Sequence, residues 1–197
     1  MSELVFIIEN SDRINFVSNN YLSIINNILN ICNVLKPEIP TSVILINQDI
    51  KYIHFRTKIN DVNKINIQDL NPCGNFKLYD NFSGVLNRIK QFQDKTKSQS
   101  TIAIVLTVDK DNSSIRLNER LTWLQVTINR GYGWKFIFLT HTQDNFKIGK
   151  NIGFDSCIQY DFDNKDLDGI VYVIEYLIKN NFVENLTLNT KDISNIL

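Results

Sequence analysis

The sequence predicts a doubly wound α/β domain: a mostly parallel sheet with one antiparallel edge strand and helices on both faces. Three observations carry this expectation. Residues 4–8 (LVFII), 42–46 (SVILI) and 101–107 (TIAIVLT) are short apolar runs, which read as strands buried on both faces, as in a parallel sheet. Longer stretches between them place apolar residues at three- and four-residue steps, the period of a helix with one buried face. Strand and helix alternate along the chain, which calls for crossover connections between parallel strands.

Taken in order, LVFII opens the chain as a strand. Val17, Tyr21, Ile24, Ile28, Ile31 and Leu35 mark the first helix, stopped by Pro37 and Pro40. SVILI follows, and after Asn47-Gln48-Asp49 the segment IKYIHF reads as its tight antiparallel partner. Residues 59–77 read as irregular, with Asn71-Pro72-Cys73-Gly74 as a turn. Helical spacing returns at Phe82, Val85, Leu86, Ile89 and Phe92. After TIAIVLT and a polar loop at 109–114, Leu117, Leu121, Leu124 and Ile128 mark a helix ended by Gly131 and Gly133. WKFIFLT, a short helix near 143–150, the strand CIQYD and a helix on Leu167, Ile170, Val171, Ile174, Leu177 and Ile178 complete the pattern. One Rossmann-like domain is expected over 1–183, with a polar tail over 184–197.

Composition narrows the function classes. Hydrophobic residues make up 43% of the 197, enough for a core, so wholesale disorder is excluded. Basic and acidic residues number 21 each, which disfavours a nucleic-acid partner. No apolar run approaches the roughly 20 residues of a membrane span, and the first residues lack a signal-peptide pattern. Three scattered cysteines fit a reducing compartment. The chain holds 29 Ile and 27 Asn but one Ala, a bias toward AT-rich codons. That points to a low-GC genome: a bacterium or its phage, a protist or a giant virus. The expected location is the cytoplasm or a viral particle.

In open α/β sheets, function gathers at the carboxyl ends of the strands. There the chain resembles a von Willebrand factor A domain over roughly residues 3–180. FIIENSDRI sits where that family has a strand followed by Asp-x-Ser-x-Ser. NPCGNFKLYD is similar to its Pro-x-Gly-x-Thr-x-Leu-x-Asp loop, and IVLTVDKDNSS to its strand ending in Thr-Asp-Gly. GWKFIFLTHTQDNFKIGKNIGF resembles a segment of bacterial and phage members.

The resemblance implies a site where Mg²⁺ is held by hard oxygens and completed by a partner's carboxylate. Residue by residue, the ligand positions depart from it. Glu9 stands for the first Asp, Ser11 is kept, and Arg13 replaces the second Ser. Phe76 replaces the Thr and Val108 the third-loop Asp, with Asp109 one residue further on. The expectation is a degenerate site without metal or cofactor. Arg13 has two readings: its guanidinium fills the cation's space beside Glu9 or Asp109, or it points into water.

Other candidates are weaker. His54 reads as an exposed strand residue. His141 follows FIFLT and faces the functional end, but a triad with Ser11 or Thr107 and Asp144 or Asp109 has no support beyond position. Trp123 reads as core or as a half-exposed interface residue. The cysteines read as core or half-buried thiols. Arg88, Lys90, Lys95 and Lys97 read as a solvated basic face, and Asp161, Asp163, Asp166 and Asp168 as charges at a helix start. There is no glycine-rich phosphate loop.

The expected function is therefore non-enzymatic: a protein-interaction or assembly module with a protein partner, one subunit of a large particle being an option. The tail is expected to dock on a partner chain. The alternatives are a metal-dependent ligand-binding domain with a rearranged site, or a small enzyme on the same sheet.

Overall fold

The computed structural model describes residues 2–16, 18–35, 38–96 and 100–160, with positions 172, 175, 176 and 179 beyond them. Among the described residues, six strands form one sheet: β1 (Ser2–Glu9), β2 (Pro40–Ile46), β3 (Ile50–Lys58), β4 (Ser100–Thr107), β5 (Trp134–Thr140) and β6 (Ser156–Gln159). Among the described residues up to 160, five α-helices connect them: α1 (Ser18–Leu35), α2 (Ile67–Leu70), α3 (Leu78–Thr96), α4 (Glu119–Gly131) and α5 (Gln143–Ile152). The order across the sheet is β3-β2-β1-β4-β5-β6, and only β3 runs antiparallel. Strand order reverses beside β1, which pairs with both β2 and β4, so the switch point lies at the ends of β1 and β4. Of the expected last helix, positions 172, 175 and 176 are described and are helical; its other residues, the acidic run at 161–168, Val17, Pro37, Lys97 and the tail lie outside the described residues.

Side chains alternate across the sheet and build two cores. Leu4, Phe6 and Ile8 face α1, whose Tyr21, Ile24, Ile25 and Ile28 cover them. Val5 and Ile7 face the other way, under Phe82, Val85, Leu86 and Ile89 of α3. On that second side the sheet supplies the bulk. Trp134 stacks on Phe136, and Phe136 and Phe138 each meet Phe154 edge-on or tilted.

Two elements differ from the sequence reading, and a third observation decides between two readings. The stripe Leu121, Leu124 and Ile128 was expected to face the core. It faces outward instead, at 40%, 42% and 54% exposure. The side of α4 turned to the sheet carries Thr122, Val126 and Asn129, because the aromatic layer leaves room only for small or polar groups. Those polar groups are held locally. Thr122 donates to the Asn118 carbonyl (2.9 Å), Gln125 to Ser83 of α3 (2.6 Å) and Asn129 to the Gln125 carbonyl (2.8 Å). Of the two readings of Trp123, core or half exposed, the half-exposed one holds, at 43%. The other difference is that the region expected to be irregular contains α2, set by the Asn66 N–H donating to Asp69 (2.8 Å).

At the opposite end of the sheet, Glu3 is fully buried, a feature the sequence reading did not foresee. Arg56 of β3 pairs with it, and Gln93 of α3 donates to it (2.9 Å). The same guanidinium lies over the Phe92 ring, 4.6 Å from its centre. His54, expected to be exposed, is half buried on β3.

Gly149 marks the closest approach of α5 to the sheet. A Cβ there would lie 2.6 Å from Phe138 Cδ1 and 3.0 Å from Cys157 Sγ. Substituting Gly149→Ala is expected to cost about 1–3 kcal/mol through overpacking. Urea unfolding of G149A checks this, and an unchanged midpoint would show that α5 shifts freely.

Candidate functional site

Three loops meet above the switch point. The first leaves β1 through Asn10 and a 3-10 turn at Asp12–Phe16. The second runs from α2 to α3, and the third leaves β4 at Val108. Backbone contacts fasten the first two: Asn10 N donates to the Ile46 carbonyl (2.8 Å), Cys73 N to the Asn10 carbonyl (3.2 Å) and Asp12 N to the Gly74 carbonyl (3.1 Å). Gly74 makes that turn at φ +69°, a conformation that favours glycine. Asn112 joins the third loop to the second. Its N–H donates to the Phe76 carbonyl (3.1 Å), and its Oδ1 accepts from the Phe76 N–H (2.9 Å).

Glu9 lies at the centre, fully buried at the end of β1. Its Oε1 accepts from the Ser11 hydroxyl (2.5 Å). Its Oε2 accepts from the backbone N–H groups of Val108 (2.6 Å) and Asp109 (2.9 Å). One carboxylate thus ties the end of β1 to the loop leaving β4. Two tyrosines close it from below: the Tyr21 hydroxyl bridges the carbonyls of Glu9 (3.1 Å) and Leu106 (3.0 Å), and Tyr160 donates to the Thr107 carbonyl (3.2 Å). Burial raises the Glu9 carboxyl from its ordinary 4.5 to about 7. The three donors oppose that rise, and the Asp109 charge adds to it. Burial also drives both tyrosines well above their ordinary 10, so they stay neutral donors.

The remaining predicted residues fall into place around this carboxylate. Arg13 pairs with Asp109, Nε to Oδ2 at 3.1 Å, yet its side chain is 65% exposed. Both readings of Arg13 therefore hold in part, for the guanidinium takes an acid but sits at the surface and not in the space beside Glu9. Asp109 Oδ1 accepts from the Lys110 N–H (2.9 Å). Phe76 does not project into the site: it is fully buried in the α3-side core. Val108 is half buried and packs against the α1-side core.

The Ser11 hydroxyl has one proton and gives it to Glu9, while His141 Nδ1 lies 3.2 Å from the Tyr160 carbonyl. That leaves no activated Ser11–His141 pair. Trp123 stands apart on α4, its ring 3.2 Å from where a Cβ on Gly153 would lie. Of the cysteines, Cys32 is buried and Cys157 half buried, the latter pushed up by burial to about 11. Cys73 is exposed, contrary to expectation, because the turn at Gly74 carries it to the surface.

Two residues that sequence reasoning missed hold the third loop. Asn112 is one. The other is Asp80, whose carboxylate accepts from the N–H groups of Ile115 (2.9 Å), Arg116 (3.1 Å) and Leu117 (2.8 Å). Burial acts to raise its pKa, but these donors and the Arg116 charge hold it below its ordinary 3.8. Among the described residues, no three His, Cys, Asp or Glu side chains cluster in a way that would hold a metal ion, and no helix is long and apolar enough to cross a membrane.

No protein-family model matches the chain, and no curated protein matches its sequence. Solved structures do match its shape. Proximal thread matrix protein 1 from the mussel byssus aligns over 90% of this chain at TM-score 0.63 and 14% identity. This chain spans about half of that protein, 47%. The SpRpn10 VWA domain aligns over 87% of this chain and 94% of its own, at TM-score 0.57 and 13% identity. Manganese-loaded Plasmodium vivax TRAP protein aligns over 90% and 73%, at 0.60 and 12%. With the strand order above, these place the chain in the von Willebrand factor A-like fold.

The buried carboxyl makes a pH prediction. Between pH 4.5 and 7 the folded chain keeps the Glu9 proton that the unfolded chain has released. The stability this contributes is whole below about pH 4.5 and is lost as pH rises through 7. The loss is worth roughly 3 kcal/mol at most. In Glu9→Gln, whose amide donates to Ser11 while its oxygen accepts from both N–H groups, that part of the slope should vanish. Unfolding free energies at pH 5.5, 6.5, 7.5 and 8.5 for both proteins test this, and parallel curves would refute it.

Proposed function

We propose that this chain is a non-enzymatic protein-interaction or assembly module, a von Willebrand factor A-like domain whose metal site has been replaced by internal hydrogen bonds. The observation that carries the reading is Glu9. Both of its oxygens already accept from the protein, and Ser11 donates to it. Asp109, the acid nearest the third ligand position, faces Arg13 instead. Mg²⁺ or Mn²⁺ asks for near-octahedral oxygen ligands. Phe76 and Val108, which turn apolar side chains into the two cores, offer none. With the chemistry gone from the sheet's end, binding by surface shape is the job left to the fold.

Melting the protein in EDTA and in millimolar Mg²⁺ or Mn²⁺ tests the metal-free reading. The midpoint should stay within about one degree, whereas linkage to a native site would raise it by several. A shift of that size would favour the rearranged-metal reading, for which the manganese-loaded TRAP protein is a structural parallel.

The tail over 184–197 belongs to the same proposal. Leu186 and Leu188 alternate as an added strand requires, and so short a segment does not offset its own ordering cost alone. Deleting residues 185–197 should leave the melting midpoint nearly unchanged while lowering recovery of the protein with its native assembly. A drop of many degrees would assign the tail to this domain's own core.

A further inference from the structure

We infer that the outer face of α4 is a self-association surface, on which a second copy of this chain docks with its own α4 antiparallel. This rests on the interaction-module reading and names the partner for one of its faces. Three features of the helix lead to it.

The first is the inversion of α4. Thr122 and Asn129 face the sheet beside Val126, and Leu121, Leu124 and Ile128 face solvent, flanked by exposed Ile115 and Tyr132. Exposed apolar residues occurring singly are ordinary, but a contiguous row marks a contact surface.

The second is spacing. Leu117, Leu121, Leu124, Ile128 and Gly131 follow steps of four, three, four and three, the seam spacing of two packed helices. The chain spends none of it on its own core beyond the half-buried Leu117.

The third is Gly131, the last residue of that seam. It lacks the positive φ that would require a glycine, and a Cβ there would meet nothing within 4 Å. Neither its own backbone nor its own neighbours account for a missing side chain. Close approach of another backbone does.

These features choose a second copy over a foreign helix. In an antiparallel pair with Leu124 beside Ile128 of the other copy, Leu121 falls opposite Gly131, large against small. The two-fold sets each flank of the seam against its own copy, so Asn118 then approaches Tyr132 of the other copy while Gln125 and Thr127 each approach their own counterparts. These flanking residues are uncharged, so no like charges oppose. The contact is isologous and closes as a two-fold pair. A single helix face lies at the small end of specific interfaces, so the dissociation constant should be on the order of 10 to 100 µM.

Sedimentation velocity on the full chain, from a few µM to several hundred µM, tests the inference. A concentration-dependent monomer–dimer equilibrium is expected. Leu124→Glu and Ile128→Glu, both at solvent-exposed positions, should weaken it at least tenfold while the melting midpoint stays within a few degrees. Gly131→Ala adds a milder probe: the monomer should be as stable or slightly more so, and the dimer weaker. A monomer at every concentration overturns the inference. So does a dimer that L124E, I128E and G131A all leave intact, since the contact then lies elsewhere. Neither result touches the metal-free reading, which the melting experiment decides by itself.

Discussion

One buried carboxylate holds the functional end of this sheet together. The backbone N–H groups of Val108 and Asp109 leave β4 with no further strand residue to pair with, and an unpaired buried N–H is costly. Glu9 answers both from the end of the neighbouring strand and takes the Ser11 hydroxyl on its other oxygen. Because β1 is flanked by β2 and β4, this joint sits where the strand order reverses. The loops that converge there are fixed relative to one another through it, and through Asn112 and Asp80 behind it.

A different constraint governs the side facing α3, α4 and α5. The sheet contributes Trp134, Phe136 and Phe138, so the helices above have little volume to fill. Small and polar groups take the remaining room, and several of their buried atoms have no hydrogen-bond partner: Thr107 and Thr140 Oγ1, Gln125 Oε1, Asn129 Oδ1 and both side-chain atoms of Asn145. Unsatisfied atoms of this kind are few in native proteins and cost stability. On the inference drawn above, α4 buries little and turns its apolar residues outward.

The fold was legible because its determinants are periodic. Runs such as LVFII and TIAIVLT are apolar on both faces, and only a strand covered on both sides accommodates that. Tight turns were legible for the same local reason, as at Gly74 and Gly153. The errors came where period alone was asked to assign direction. Leu121, Leu124 and Ile128 have the spacing of a buried face, but which face a helix buries depends on what stands opposite, and spacing alone does not tell that Trp134 and Phe136 turn toward that helix. At the site, the substituted positions were readable residue by residue. What filled them was not: the donors to Glu9 are two backbone groups about one hundred residues away, and backbone groups leave no trace in residue type. Asn112 and Asp80 were hidden likewise, since their work is hydrogen bonding to main chain.

On the proposed reading, the substitutions at four of the five ligand positions make sense only together. A divalent cation neutralises the acids around it and demands an oxygen shell. Here that neutralisation is divided. Arg13 faces Asp109, and Glu9, titrating near 7, shares its negative charge with a proton. Neither arrangement needs oxygen ligands from the second or third loop, which frees Phe76 and Val108 to pack into the cores. A cation entering beside Glu9 would have to displace the Val108 and Asp109 N–H groups from Oε2. Leaving each of those donors unpaired costs about 1–3 kcal/mol. The ion would also meet a carboxyl that still holds part of its proton. Clamp and cation thus compete for the same two oxygens, and the residues around them favour the clamp.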